Sequence, residues 1–123
     1  MKLTLNDNDG RYIIHSYENG QITINGTPYG RSLIITPSKI TADWQPQTIA
    51  ELTAEHLAQV DISETELVIL GTGKKQKFPP AQILEPLIRH GIGCEVMDTH
   101  AACRTYNILV GEDRKVMAAL IIE

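Results

Sequence analysis

At 123 residues the chain has the length for one folded unit with a substantial core. Its 42% hydrophobic and 21% charged residues exclude a disordered chain, and a formal charge of −4 argues against nucleic acid as a partner, because phosphate-backbone binding needs many positive contacts. Aromatic residues make up only 5%, so the core must be mainly aliphatic.

The opening residues, Met1, Lys2, Leu3, Thr4, Leu5, Asn6 and Asp7, lack the apolar run of a secretory leader. Residues 1–36 then read as a β-rich extension. Tyr12, Ile13, Ile14 and Tyr17 are strand formers, and Glu18-Asn19-Gly20 turns the chain. Gln21-Ile22-Thr23-Ile24 alternates polar and apolar, as a strand with one wet face does. Asn25-Gly26 predicts a tight hairpin with positive φ at both positions. Pro28 lacks an N–H, so the returning strand belongs at a sheet edge. A further strand over residues 31–36 ends at Pro37.

Residues 37–46 read as a loop carrying the only tryptophan, Trp44, taken as a lid over one end of the core, with a partner anchor as the alternative. Residues 48–60 are helical in one or two pieces, and the Thr48…Glu51 spacing predicts a capping box there. From residue 66 to 123 the pattern is β-α-β-α-β, with right-handed crossovers where strands run parallel. Leu67, Val68, Ile69 and Leu70 form a strand apolar on both faces. Pro79-Pro80 opens a helix whose apolar face is Ile83, Leu84, Leu87 and Ile88, with Pro86 as an anomaly inside it. Arg89-His90-Gly91 is a helix ending. Residues 94–97 form the next strand, Asp98 and Thr99 cap a helix to about Val110, and residues 116–122 form a long apolar strand, far too short to cross a bilayer. No membrane insertion and a bacterial cytoplasmic location are expected.

Two places carry chemistry. Gly71-Thr72-Gly73-Lys74 follows a buried strand, where backbone N–H groups and lysines can hold an anion. It is not a Walker loop, since Val68 and Lys75 stand where a glycine and a Ser or Thr are needed. It is not a dinucleotide fingerprint either, since Gln76 replaces the third glycine. The second place holds Asp98, Thr99, His100, Cys103 and Arg104. His100 and Cys103 share a helix face, but Cys103 beside Ala101 and Ala102 reads as packing rather than as a nucleophile. Cys94 and Cys103 are read as reduced structural thiols, with a pairing between them as the alternative. No catalytic residue, metal ligand or cofactor is assigned. The candidate ligand-binding set is Gly71, Thr72, Gly73, Lys74, Asp98, Thr99 and Arg104, with Arg104 expected to reach back to the Gly71 turn.

Leu70-Gly71-Thr72-Gly73, Gln76-Lys77-Phe78-Pro79-Pro80, the run from Gly91 to Thr99, and Ala101-Ala102-Cys103-Arg104-Thr105-Tyr106-Asn107 together resemble one family. It contains small bacterial and archaeal proteins of unknown function, a mammalian adipogenesis-associated protein and a mitochondrial respiratory complex I assembly factor. The resemblance implies one three-layer α/β domain over residues 1–123, with a mixed central sheet, helices packed on one side of it and the β-rich N-terminal extension. It also implies a non-enzymatic protein-interaction or assembly-factor-like module with a protein partner. The alternatives are a small-anion or small-ligand binding protein or enzyme using the Gly71–Gly73 turn and Arg104, and a homo-oligomer joined through residues 116–122 at a sheet edge.

Overall fold

The structure is a computed structural model and describes residues 10–123; the leader expectation for residues 1–7 lies outside them. The strands are β1 (Ile14–Glu18), β2 (Gln21–Ile24), β3 (Thr27–Tyr29), β4 (Leu33–Thr36), β5 (Lys39–Thr41), β6 (Leu67–Gly71), β7 (Gly93–Met97) and β8 (Val116–Leu120). The helices are α1 (Ala54–Ala58), α2 (Ala81–Arg89) and α3 (Thr99–Gly111), with a 3-10 turn at Ile49–Glu51. Strands β1, β2 and β3 make an antiparallel sheet, and the other five make a mixed sheet in the order β5-β4-β8-β6-β7. Strand β6 runs parallel to both β7 and β8, while β4 is antiparallel to β8 and to β5.

Alternation along the five-stranded sheet divides the core into two layers. Leu33, Ile35, Ile69, Val116, Ala118 and Leu120 face one side, and Ile34, Val68, Leu70, Met117, Ala119 and Ile121 face the other. Both faces are buried, which is why β6 and β8 read as unbroken apolar runs rather than alternating ones. Residues 116–122 were expected at a sheet edge. Instead β8 is the middle strand, hydrogen-bonded on both sides, and the edges are β5 and β7.

Helices were also expected on one side only, and they occupy both. The chain moves outward from β6 to β7 through α2, then returns past β6 to β8 through α3. Two right-handed crossovers that travel in opposite directions must place their helices on opposite faces. Thus Leu87 of α2, with Leu57 of α1 and Trp44, covers one face. Ala102, Cys103, Tyr106 and Val110 of α3 cover the other, together with Ile14, Ile22 and Ile24 of the small sheet.

Local chemistry accounts for the remaining elements. Asn25 (φ 46°) and Gly26 (φ 89°) form the predicted hairpin turn, and β3 with Pro28 is indeed an edge strand. Residues 37–46 are not wholly loop, because β5 lies within them. Trp44 is 7% exposed and meets His56 edge-on at 6.3 Å, so it packs as a lid. The capping box sits at Thr53 rather than Thr48: the Thr53 N–H donates to His56 Nδ1 at 3.0 Å, an imidazole replacing the usual Glu or Gln. Glu51 instead accepts the Gln47 N–H. Pro80 is the N-cap of α2, and Pro86 lies buried inside that helix, so the helix starts near its expected place. The Gly91 N–H bonds to Ile88 and the Ile92 N–H to Leu87, a Schellman ending with Gly91 at φ 71°. Ile88, expected on the apolar face, is exposed.

One side chain fastens the small sheet to α3. Asn107 Oδ1 accepts the Ile14 N–H at 2.9 Å, and Asn107 Nδ2 donates to the Ile14 carbonyl at 2.6 Å. From the preceding residue of the helix, the Tyr106 hydroxyl donates to the Tyr12 carbonyl at 2.8 Å. Asn107→Ala leaves both Ile14 backbone groups without this partner, and the expected loss is about 1–3 kcal/mol in urea unfolding, with faster amide exchange in β1 than in β8.

Candidate functional site

The carboxyl ends of β6, β7 and β8 meet the start of α3. Gly71 pairs with Met97 on one side and Leu120 on the other. A Cβ on Gly71 would fall 2.9 Å from Thr99 Oγ1 and 3.1 Å from both Thr99 Cα and Leu120 Cδ2, so glycine is what lets α3 begin this close to β6. Thr99 is fully buried, and its hydroxyl works in both directions. It accepts the Gly73 N–H at 2.8 Å and donates to the Ile121 carbonyl at 2.7 Å. The Thr99 N–H returns a bond to the Gly73 carbonyl at 2.9 Å. Thr72 is likewise buried: its N–H donates to the Met97 carbonyl, and its hydroxyl donates to Lys75 O and accepts the Lys77 N–H. Asp98 is the N-cap of α3, accepting the Ala101 N–H at 2.9 Å.

Gly71, Thr72, Gly73 and Thr99 are therefore brought together as a hydrogen-bonded framework, with Asp98 capping the helix beside it. Lys74 is exposed, and its N–H donates to Glu123 Oε1 at 2.9 Å. A hollow of about 340 Å³ opens there, walled by Tyr17, Gly20, Gly73, Lys74, His100 and Glu123. Arg104 lines a different hollow of about 180 Å³, with Ile14, Cys103 and Asn107. Tyr17 and His100 border both hollows, and Arg104 sits on the exposed flank of α3 towards β1 rather than at the Gly71 turn. A third hollow, about 370 Å³, lies at the opposite end of the sheet between Lys39, Asp61 and Lys115.

The candidate set read from the sequence omits Tyr17, Gly20, His100 and Glu123, which wall the hollow beside Lys74. Glu123 belongs to no motif, and Tyr17 was read only as a strand former. The ring centroids of Tyr17 and His100 are 5.4 Å apart. Burial raises the Tyr17 hydroxyl above its ordinary pKa, with the Glu123 backbone hydrogen bond partly opposing.

The thiols are not poised for nucleophilic work. Burial pushes Cys103 up to about 12, with Arg104 opposing in part, and burial with nearby Glu95 pushes Cys94 up to about 11. The two also pack in opposite layers of the core, so the sheet stands between them and both are free thiols. Among the described residues no three His, Cys, Asp or Glu side chains group as metal ligands would.

Thr99→Val keeps the shape of the side chain and removes the hydroxyl, leaving the Gly73 N–H and Ile121 carbonyl facing a methyl group. A loss of roughly 2–4 kcal/mol in chemical denaturation is expected, since each buried orphan costs about 1–3 kcal/mol. The thiols set a second expectation. Their folded pKa values are raised, so the stabilisation they give is complete below the ordinary thiol value and is lost as pH rises through it towards 11–12. The urea midpoint should fall between pH 8 and pH 10.5, and less steeply in a Cys94→Ala/Cys103→Ala double variant.

Comparison with known proteins gives the same architecture. A Francisella tularensis protein named "13 kDa major membrane protein" is 30% identical over 107 residues, covering 85% of this chain and 86% of that one. The zebrafish (Danio rerio) "NADH dehydrogenase [ubiquinone] 1 alpha subcomplex assembly factor 3" is 35% identical over 112 residues, covering 89% of this chain and 63% of its own length. The crystal structure of a Bordetella parapertussis protein superposes with a TM-score of 0.85 at 33% identity, covering 93% of this chain and 98% of that one. The family described as "Protein of unknown function (DUF498/DUF598)" matches residues 14–121, and the chain belongs to it.

Proposed function

We propose that the chain is a non-enzymatic, assembly-factor-like module that works by binding another protein. The observation that carries this reading is the similarity, over 89% of the chain, to a relative named as a respiratory-complex assembly factor. The chain spans 63% of that relative, so the match is to part of it. Two features of the surface support the reading. Phe78 and Ile88 are 73% and 62% exposed, and they belong to one continuous segment that leads into and along α2. Aromatic side chains such as that of Phe78 are enriched at protein interfaces. Burial raises both thiols, which disfavours only a cysteine nucleophile at neutral pH.

We also propose a cytoplasmic location. Among the described residues no helix is long and apolar enough to cross a membrane. The Francisella relative, by contrast, is named a membrane protein. Fractionation of its native host cells decides between them: recovery in the washed membrane pellet overturns the cytoplasmic placement.

The docking reading is tested by affinity capture of the tagged chain from native lysate, with quantitative mass spectrometry against a Phe78→Ser/Ile88→Ser double variant. The expected result is a small set of reproducible partners whose recovery drops at least about tenfold in the variant, since interface anchors each contribute about 1–2 kcal/mol or more. No enrichment over an untagged control overturns the proposed function. Equal recovery by both chains overturns the assignment of the surface.

A further inference from the structure

The turn after β6 already holds an anion, and the anion is the side chain of Glu123. Its Oε1 accepts the Lys74 N–H at 2.9 Å. The approach depends on residue 73 having no side chain: a Cβ there would fall 2.4 Å from Glu123 Oε1 and 2.6 Å from its carboxyl carbon. Gly73 also has φ +98°, a conformation that L side chains rarely adopt. On the other flank, Gly20 of the β1–β2 turn lies against the Glu123 backbone. The carboxylate is thus seated in a cradle made by the absence of a side chain at residue 73.

Glu123 is nevertheless an exposed residue, as is Lys74, and the hollow of about 340 Å³ opens directly beside their contact. That volume lies at the lower end of the range for small-molecule sites. The Tyr17 and His100 rings border it, tilted at 44° to each other, and a flat apolar body can pack against them.

The geometry points to a binding site for a small monocarboxylic acid with a flat body, whose carboxylate replaces that of Glu123 on the Lys74 N–H while its ring lies against Tyr17 and His100. Glu123 is then a resident competitor supplied by the chain itself. A carboxylate suits this turn better than a phosphate. The Gly73 N–H is committed to Thr99, so of these two backbone N–H groups only that of Lys74 meets the carboxylate, whereas phosphate cradles present several convergent N–H groups. Glu18 also borders the hollow, and its charge disfavours a dianion. This site stands independently of the protein-docking reading and uses none of the residues tested there.

The test is a titration of the 15N-labelled chain with sodium benzoate, sodium acetate and inorganic phosphate, each at constant ionic strength. It is run on the wild type, Glu123→Ala and Glu123→Gln. In Glu123→Ala, benzoate is expected to shift the Gly73, Lys74 and His100 amides saturably, with a Kd about tenfold below that of the wild type, because removing a resident occupant raises the fraction of open sites. Glu123→Gln, which keeps the shape and loses the charge, should show a smaller gain. Acetate should bind more weakly than benzoate, having no body to pack. Adding Gly73→Ala to Glu123→Ala fills the cradle and should abolish the shifts while the spectrum stays dispersed. The proposal is overturned if benzoate binds Glu123→Ala no more tightly than the wild type. It is equally overturned if phosphate binds better than benzoate, or if the shifts fall away from residues 73, 74 and 100.

Discussion

The Thr99 hydroxyl is the interaction on which one end of the molecule depends. A single buried oxygen accepts from the turn that follows β6 and donates to the chain leaving β8, while its own residue starts α3. Three elements distant in sequence are held in fixed relation by one side chain. Gly71 is the counterpart of this arrangement, since only a residue without Cβ lets the helix start approach the strand so closely. The floor of the candidate site is therefore braced by buried hydrogen bonds, and the exposed side chains above it are Lys74, His100 and Glu123.

The opposite placement of α2 and α3 follows from topology rather than from composition. Moving out from β6 and then back across it reverses the direction of the crossover, and constant handedness turns that reversal into a change of face. The small sheet can then share a layer with α3, and the Asn107 clasp on β1 exists only because of that neighbour. Glu123 follows from the same path. Strand β8 lies centrally, next to β6, so the chain leaving it passes the turn at residues 73 and 74.

Much of the fold is legible in the sequence, for identifiable reasons. Asn25-Gly26 specifies its turn because few other residues accept positive φ twice. Asp98 marks the start of α3, and Gly91 the end of α2, through hydrogen bonds made within a few residues. What stays hidden depends on contacts between distant segments. The central position of β8 arises from pairing with β4, which no local pattern encodes. Strand β5 is only Lys39-Ile40-Thr41, too short to show a period, and exists through its pairing with β4. The Thr53 capping box escaped because an imidazole takes a role usually given to a carboxylate or amide. At the candidate site, the glycines mark the turn that Thr99 braces. Arg104 did not follow, because its position on α3 turns it towards β1, and Glu123 had no motif to announce it.

Trp44 is the only tryptophan in the chain, and it sits in the layer of α1 and α2, against His56. Tyr106 is fully buried in the other layer, where burial raises its hydroxyl above the ordinary tyrosine value. Indole emission thus reports on one half of the protein and is blind to detachment of β1–β3 from α3, an event that near-ultraviolet tyrosine dichroism would register. Following both signals through one denaturation curve would reveal whether the two halves melt as a single cooperative unit or in succession.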